Sequence, residues 1–181
     1  MKYRAGEAEI KRYVKEGWWE ESKGLADFVE ENAQRNPSGV AYQNGEDQIS
    51  WEQYYQSARY LAQLIRRESG LGDRVLVWLP DNADVHVCYL ACEIAGVVAV
   101  GAGWKAGLQE LKYLSDVTGA SLLLSKLNNL LGTVDDISEH LGIDYVSVEG
   151  EFNELDAGSF ETCQGNAIGP SDLWFLNSTS G

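Results

Sequence analysis

Four short apolar runs constrain the fold of this chain more than any other feature: residues 75–79 (VLVWL), 97–100 (VVAV), 120–124 (ASLLL) and 145–148 (YVSV). The first two are continuously apolar, as suits strands buried on both faces. The strands start near residues 74, 97, 120 and 144, giving a unit of roughly 23 residues, the length of one strand plus one crossover helix rather than a solenoid repeat. Between the runs the apolar period is helical. Pro80 and Asp81 open a helix with Val85, Cys88, Tyr89 and Cys92 on one face, ended by Gly96. Leu108, Leu111, Leu114 and Val117 mark the next, ended by Gly119. A shorter helix is expected over 134–141, acidic at its start through Asp135 and Asp136. Right-handed crossovers then predict an α/β fold: a parallel sheet with helices on both faces.

The first seventy residues read differently. Residues 25–37 (LADFVEENAQRNP) place Leu25, Phe28, Val29 and Ala33 on one helical face, and Pro37 stops the helix. Residues 40–51 (VAYQNGEDQISW) suit a hairpin with Asn44-Gly45 in a type I′ turn. Ser50 and Gln53 form a capping box for a helix whose stripe is Trp51, Tyr54, Tyr55, Ala58, Leu61, Ala62 and Ile65. Arg66 and Arg67 suit the dipole at its end, and Gly70 can terminate it. Residues 1–24 read as an N-terminal polar arm or helix and residues 25–181 as the α/β unit.

Composition narrows the partners. The 181 residues are 44% apolar, enough for a real core, and carry a formal charge of −14. So acidic a chain should not bind nucleic acid or an anionic membrane through its bulk field. The start, rich in Lys11, Arg12, Glu7 and Glu9, has no apolar core of a secretory signal. The longest uncharged run, 94–104, falls short of the roughly 20 residues a spanning helix needs. Cys88, Cys92 and Cys163 are odd in number and read as reduced thiols of a cytoplasmic protein. With His86 and His140 the only histidines, no zinc-like cluster is expected, and neither histidine reads as a general base. Residues 149–161 hold five acidic side chains and no basic one, which suits a solvated loop.

The chain closes on DLWFLNSTSG, residues 172–181. An apolar run, 173–176, leads into Asn177, Ser178, Thr179, Ser180 and Gly181. This run is expected to be paired inside the sheet, away from its edge. Small residues after a parallel strand bring backbone N–H groups and hydroxyls close to phosphate oxygens at the carboxyl end of the sheet. A Ser/Thr-rich turn without that role looks the same. No Gly-Lys-Ser/Thr ending completes a Walker loop, and no GxGxxG follows residues 75–79.

In order along the chain, three stretches resemble the adenylate-forming enzymes: acyl- and aryl-CoA synthetases, aryl-acid adenylating enzymes and the adenylation domains of peptide synthetases. ISWEQYYQSARYLAQLI resembles an early helix of that family, and GLGDRVLVWLPDNADVHVCYLACEIAGVVAV its strand–helix–strand. LNSTSG is similar to the front of its phosphate loop, TSGTTGxPKG, with the match running through Thr179, Ser180 and Gly181. One departure stands in GAGWKAGLQEL, where Gly101 replaces a common proline, Gly103 and Trp104 an Asn-Pro, and Lys105 an arginine. The opening RYVKEGWWEESKGLADF resembles the aryl-acid members more than the fatty acyl ones.

The resemblance implies the N-terminal subdomain of an ATP-dependent acid–thiol ligase. Such a ligase forms an acyl- or aryl-adenylate and passes it to CoA or to the pantetheine of a carrier protein. An aryl substrate points to secondary metabolism. It implies ATP, Mg²⁺ and CoA or pantetheine as cofactors, with Thr179, Ser180 and Gly181 on the ATP phosphates. Catalytic residues, acyl pocket and loop lysine are expected in the remainder of the enzyme, so this stretch alone is expected to be inactive. The alternative is a non-catalytic small-ligand-binding or scaffold α/β domain.

Overall fold

A computed structural model describes residues 6–20, 22–45, 47–148, 168 and 172–177. In chain order the elements are α1 (Glu7–Lys15), α2 (Leu25–Arg35), β1 (Val40–Asn44), β2 (Asp47–Ser50), α3 (Trp51–Glu68), β3 (Arg74–Val77), α4 (Ala83–Ala95), β4 (Val98–Gly101), α5 (Leu108–Thr118), β5 (Ala120–Ser125), β6 (Asn128–Asn129), β7 (Gly132–Thr133), α6 (Val134–Leu141), β8 (Asp144–Ser147) and β9 (Phe175–Asn177). The helix ends follow local chemistry. The Ser50 hydroxyl accepts from the Gln53 N–H at 3.2 Å while the Gln53 side chain accepts from the Ser50 N–H at 2.9 Å, closing the expected capping box. Asn82 and Thr133 cap α4 and α6 through side-chain oxygens. Gly96 and Gly119 stop α4 and α5 in left-handed conformations, φ 79° and 68°, where a Cβ would be strained.

Five parallel strands form one sheet in the order β8-β5-β3-β4-β9. Alternate residues of each strand feed two cores. Val75, Val77, Ala99, Leu122 and Leu124 face α2, α3 and α4, whereas Leu76, Val100 and Leu123 face α5 and α6. The expected sheet with helices on both faces is therefore what forms. Helix α4 is buried on nearly every side, including Val85, Val87, Leu90, Ala91 and Ile94, because α3 and the sheet enclose it. Full burial of each such Leu, Val or Ile contributes about 1.5–3 kcal/mol, which makes the α3–α4–sheet layer the centre of stability.

Two polar contacts tie that layer together. Arg66 does more than sit in the dipole of its own helix. Its guanidinium donates to the Ile94 and Ala95 carbonyls, at 2.7 and 3.2 Å, and so caps the end of α4. Glu93, 3% exposed, reaches the start of α2 and accepts from the Ala26 N–H at 3.2 Å. Its other oxygen, Oε2, is buried with no partner. Burial pushes this carboxyl above its ordinary value despite the N–H groups of α2.

Several expectations are corrected. Among the described residues β9 pairs with β4 alone and so lies at the edge of the five-stranded sheet, and it begins at Phe175, with Leu173 55% exposed. Leu173 and Trp174 precede the strand, so the apolar run overstated its length. Asn44 closes the hairpin as a strand residue paired with Asp47, and Gly45, φ 65°, takes the first turn position. In α2 the buried pair is Ala26 and Val29, while Leu25 and Phe28 remain 40% and 43% exposed, because α3 and α4 approach one side of the apolar stripe. Val117 of α5 is also exposed. Helix α3 ends at Glu68 with Ser69 as its C-cap, one residue before Gly70.

Candidate functional site

The chain leaves β3 toward α4 on one face of the sheet and leaves β4 toward α5 on the other. Loops that part from adjacent parallel strands open a crevice at their carboxyl ends. A cleft of about 480 Å³ lies there, walled by Leu79, Asp81, His86, Tyr89, Trp104 and Asn177 and reached by Glu110. A second cavity, about 410 Å³, lies between the β1–β2 hairpin and the start of α4 and shares Asp81 and His86 with the first.

Local structure fixes the cleft walls. The Trp78 indole N–H donates to the Trp104 carbonyl at 3.2 Å, and the two rings lie 5.3 Å apart. The Ser125 hydroxyl donates to the Trp78 carbonyl at 2.9 Å, and the Ala102 N–H to the Val77 carbonyl at 3.0 Å. These bonds hold the β4–α5 loop against the end of β3, so Trp104 is a supported wall. On the opposite wall, His86 stacks on Tyr42 with centroids 4.3 Å apart and meets Tyr89 edge-on at 6.4 Å. Burial lowers the His86 pKa and the Asp81 carboxylate opposes this. The imidazole is therefore neutral near pH 7, a ring surface more than a cation.

Gly101 marks the tightest point. It ends β4 opposite Asn177 of β9. A Cβ there would lie 3.0 Å from the Tyr89 hydroxyl, 3.2 Å from Asn177 Oδ1 and 3.4 Å from Phe175 Cζ. The Tyr89 ring packs edge-to-face on Phe175 at 4.7 Å. Where the sequence suggested only a missing proline, the glycine leaves room for three converging side chains.

Thr179, Ser180 and Gly181 lie outside the described residues, as does Cys163. Asn177 lines the cleft, two residues before Thr179. Among the described residues no lysine or arginine lines the cleft, and no group of His, Cys, Asp and Glu is arranged to hold a metal. Cys88 and Cys92 are free and buried, and burial pushes both thiols up, so they are not nucleophiles. His140 is exposed on α6. Asp81, His86 and Tyr89 were not singled out as site residues in the sequence. The signal was available: Asp81 follows the apolar run 75–79 after Pro80, at the end where parallel sheets hold ligands.

Known proteins give these features a context. The profile of the family described as AMP-binding enzyme matches residues 29–181. Enterobactin synthase component E of Escherichia coli (strain K12) is 29% identical over 157 residues, which cover 81% of this chain and 28% of that protein. A Mycobacterium tuberculosis protein named as fatty-acid–CoA ligase fadD25 is 27% identical over 141 residues, 75% of this chain and 24% of its own length. The chain thus spans about a quarter of the length of these relatives. Among solved structures, the N-terminal subdomain of Klebsiella oxytoca NpsA, in complex with 3-hydroxyanthranilyl-AMSN, superposes with a TM-score of 0.67. It shares 20% identity and covers 88% of this chain and 38% of its own. The nonribosomal peptide synthetase FmoA3 gives a TM-score of 0.68 at 15% identity, over 85% of this chain and 16% of its own.

Proposed function

This chain belongs to the AMP-binding enzyme family, and from that premise we propose that it is the N-terminal part of an ATP-dependent ligase joining a carboxylic acid to a thiol. A carboxylate oxygen attacks the α-phosphorus of ATP, the bond to pyrophosphate breaks, and an acyl- or aryl-adenylate forms. A thiol of CoA or of a carrier-protein pantetheine then attacks the acyl carbon and AMP leaves. The observation that carries the reading is the position of Asn177. It lines the cleft at the carboxyl ends of the strands, and the Thr179-Ser180-Gly181 sequence follows two residues later.

The cleft lining described above holds carboxylates and no cation, so its side chains do not grip a triphosphate. In this reading the grip comes from N–H groups and hydroxyls of Thr179, Ser180 and Gly181. Mg²⁺, when bound, neutralises charge on the triphosphate. The described walls position the bound groups and exclude water. Residues 1–24 form the arm that precedes the subdomain, 25–181. No described helix is long and apolar enough to cross a membrane, and buried reduced thiols support a cytoplasmic setting.

An aryl acid is the substrate class this reading favours. The opening residues resemble aryl-acid members, and the relatives include an enterobactin synthase component. The test is acid-dependent ATP–pyrophosphate exchange over a panel of aryl and alkyl carboxylic acids. The chain extended with the residues that follow Gly181 in its gene should exchange with at least one aryl acid, whereas residues 1–181 alone should not. Exchange by residues 1–181 alone would refute their inactivity, and none by the extended chain would refute the ligase. The cation-free cleft favours one second reading, a small-ligand-binding or scaffold domain, which predicts ligand binding without exchange.

A further inference from the structure

We infer that Tyr89 and Gly101 form a socket that seats Phe175 and Asn177 at the end of β9, making both of them positioning residues for the cleft end of that strand, from which the phosphate-binding sequence follows; this rests on the ligase reading above. β9 is a three-residue edge strand with β4 as its partner, through the pairs Ala99↔Phe175, Val100↔Leu176 and Gly101↔Asn177. So short an edge strand is weakly held by its ladder. Its side-chain anchors are Phe175, seated edge-on against Tyr89, and Leu176, packed on the opposite core.

Tyr89 is itself braced. His86, one turn earlier on α4, meets it edge-on and is stacked on Tyr42 of the hairpin, which meets the buried Tyr54 at 5.1 Å. A continuous line of rings therefore runs from α3 through the hairpin and α4 to β9. At its end, the missing Cβ of Gly101 lets the Tyr89 hydroxyl, Asn177 Oδ1 and Phe175 Cζ approach one point. The backbone of Gly101 is not left-handed, so the glycine is required by space and not by torsion. A methyl at 3.0 Å from the hydroxyl displaces either Tyr89 or β9. Because β9 is the less supported of the two, Asn177 and the residues after it move.

The test is a double-mutant cycle with two readouts. In residues 1–181, Gly101→Ala should speed amide hydrogen exchange in the peptide 172–177 while leaving β5 unchanged. In the gene-extended chain, Gly101→Ala should lower kcat for pyrophosphate exchange about tenfold, as small displacements of positioned groups do, with KM for the acid within about twofold. Tyr89→Phe keeps the ring, removes the hydroxyl and is measured alone as the reference of the cycle. Combined with Gly101→Ala it removes the closest contact and should restore most of kcat, whereas Tyr89→Leu removes the anchor and should not. Unchanged exchange over 172–177 in Gly101→Ala, or no restoration by Tyr89→Phe, overturns the socket. If the unsubstituted extended chain shows no pyrophosphate exchange, the ligase reading fails, and hydrogen exchange still decides whether the socket holds β9.

Discussion

Replacing Glu93 by Gln should stabilise the protein at neutral pH, although it removes a charge from the start of a helix. Two effects oppose each other at this site. The Ala26 N–H and the dipole of α2 favour the carboxylate, by about 1.5–3 kcal/mol for a charged hydrogen bond and up to about 2 kcal/mol for the dipole. Against them stands removal of a carboxylate from water, with Oε2 unpartnered, a penalty of several kcal/mol. The raised pKa shows that desolvation wins, with nearby Asp27 adding repulsion. Between the ordinary carboxylate value and the folded one, the folded state holds a proton that the unfolded state has lost. Unfolding free energy from this group therefore falls as pH rises through that window and is fully present below it. Gln keeps the acceptor and replaces the orphaned oxygen by an orphaned NH₂, so those costs roughly cancel and the charge remains as the difference. Glu93→Gln should be more stable than wild type near pH 8, with a higher Tm. The two should converge near pH 4.5, the ordinary value of the group. Glu93→Ala, which leaves the Ala26 N–H unpaired, should lose about 1–3 kcal/mol at every pH. Thermal and urea unfolding followed by circular dichroism across this range decide the matter. A Gln variant less stable than wild type near pH 8 would show that the buried charge is net stabilising and the reasoning wrong.

Arg66→Met should keep much of the stem packing but uncap α4, costing about 2–3 kcal/mol in urea unfolding, since two carbonyls lose a charged donor. Cys88 and Cys92 should react with thiol reagents only as fast as the chain unfolds, and native-state labelling of both would show the α4 packing wrong. Thr179→Ala in the gene-extended chain should slow adenylation about tenfold to a hundredfold, and an unchanged rate would mean that this hydroxyl does not contact phosphate.

The central sheet was legible because its inner strands alternate with helices, of which α4 and α5 end in glycine. Runs 75–79, 97–100 and 120–124 are buried by layers on both sides, and such burial leaves an unbroken apolar signature. Residues 173–176 carry the same signature for another reason. Apolar residues there flank a short edge strand, and composition does not distinguish a strand's centre from its approach. Helical stripes have a similar limit. The stripe of α2 gave a direction, but the angle at which α3 and α4 approach decided that Ala26 and Val29 are buried while Leu25 and Phe28 are not. The cleft was least legible. Its walls come from the ends of β3, β4 and β9, brought together by strand order, and the need for Gly101 depends on the reach of Tyr89 from a different element.

Strand order also bears on how the sheet can be made. β3, the first of the five to leave the ribosome, ends at the centre, and β4 adds to one side of it and β5 to the other. β8 then extends the β5 side and β9 the β4 side. No strand must be inserted between two that are already paired. The sheet can grow outward in the order of its synthesis, with each new strand templated on an edge that its predecessors have already buried against helices. Of these five strands β9 is made after the others and pairs with β4, made long before it, so its part of the cleft forms only after the other four have a core to rest on.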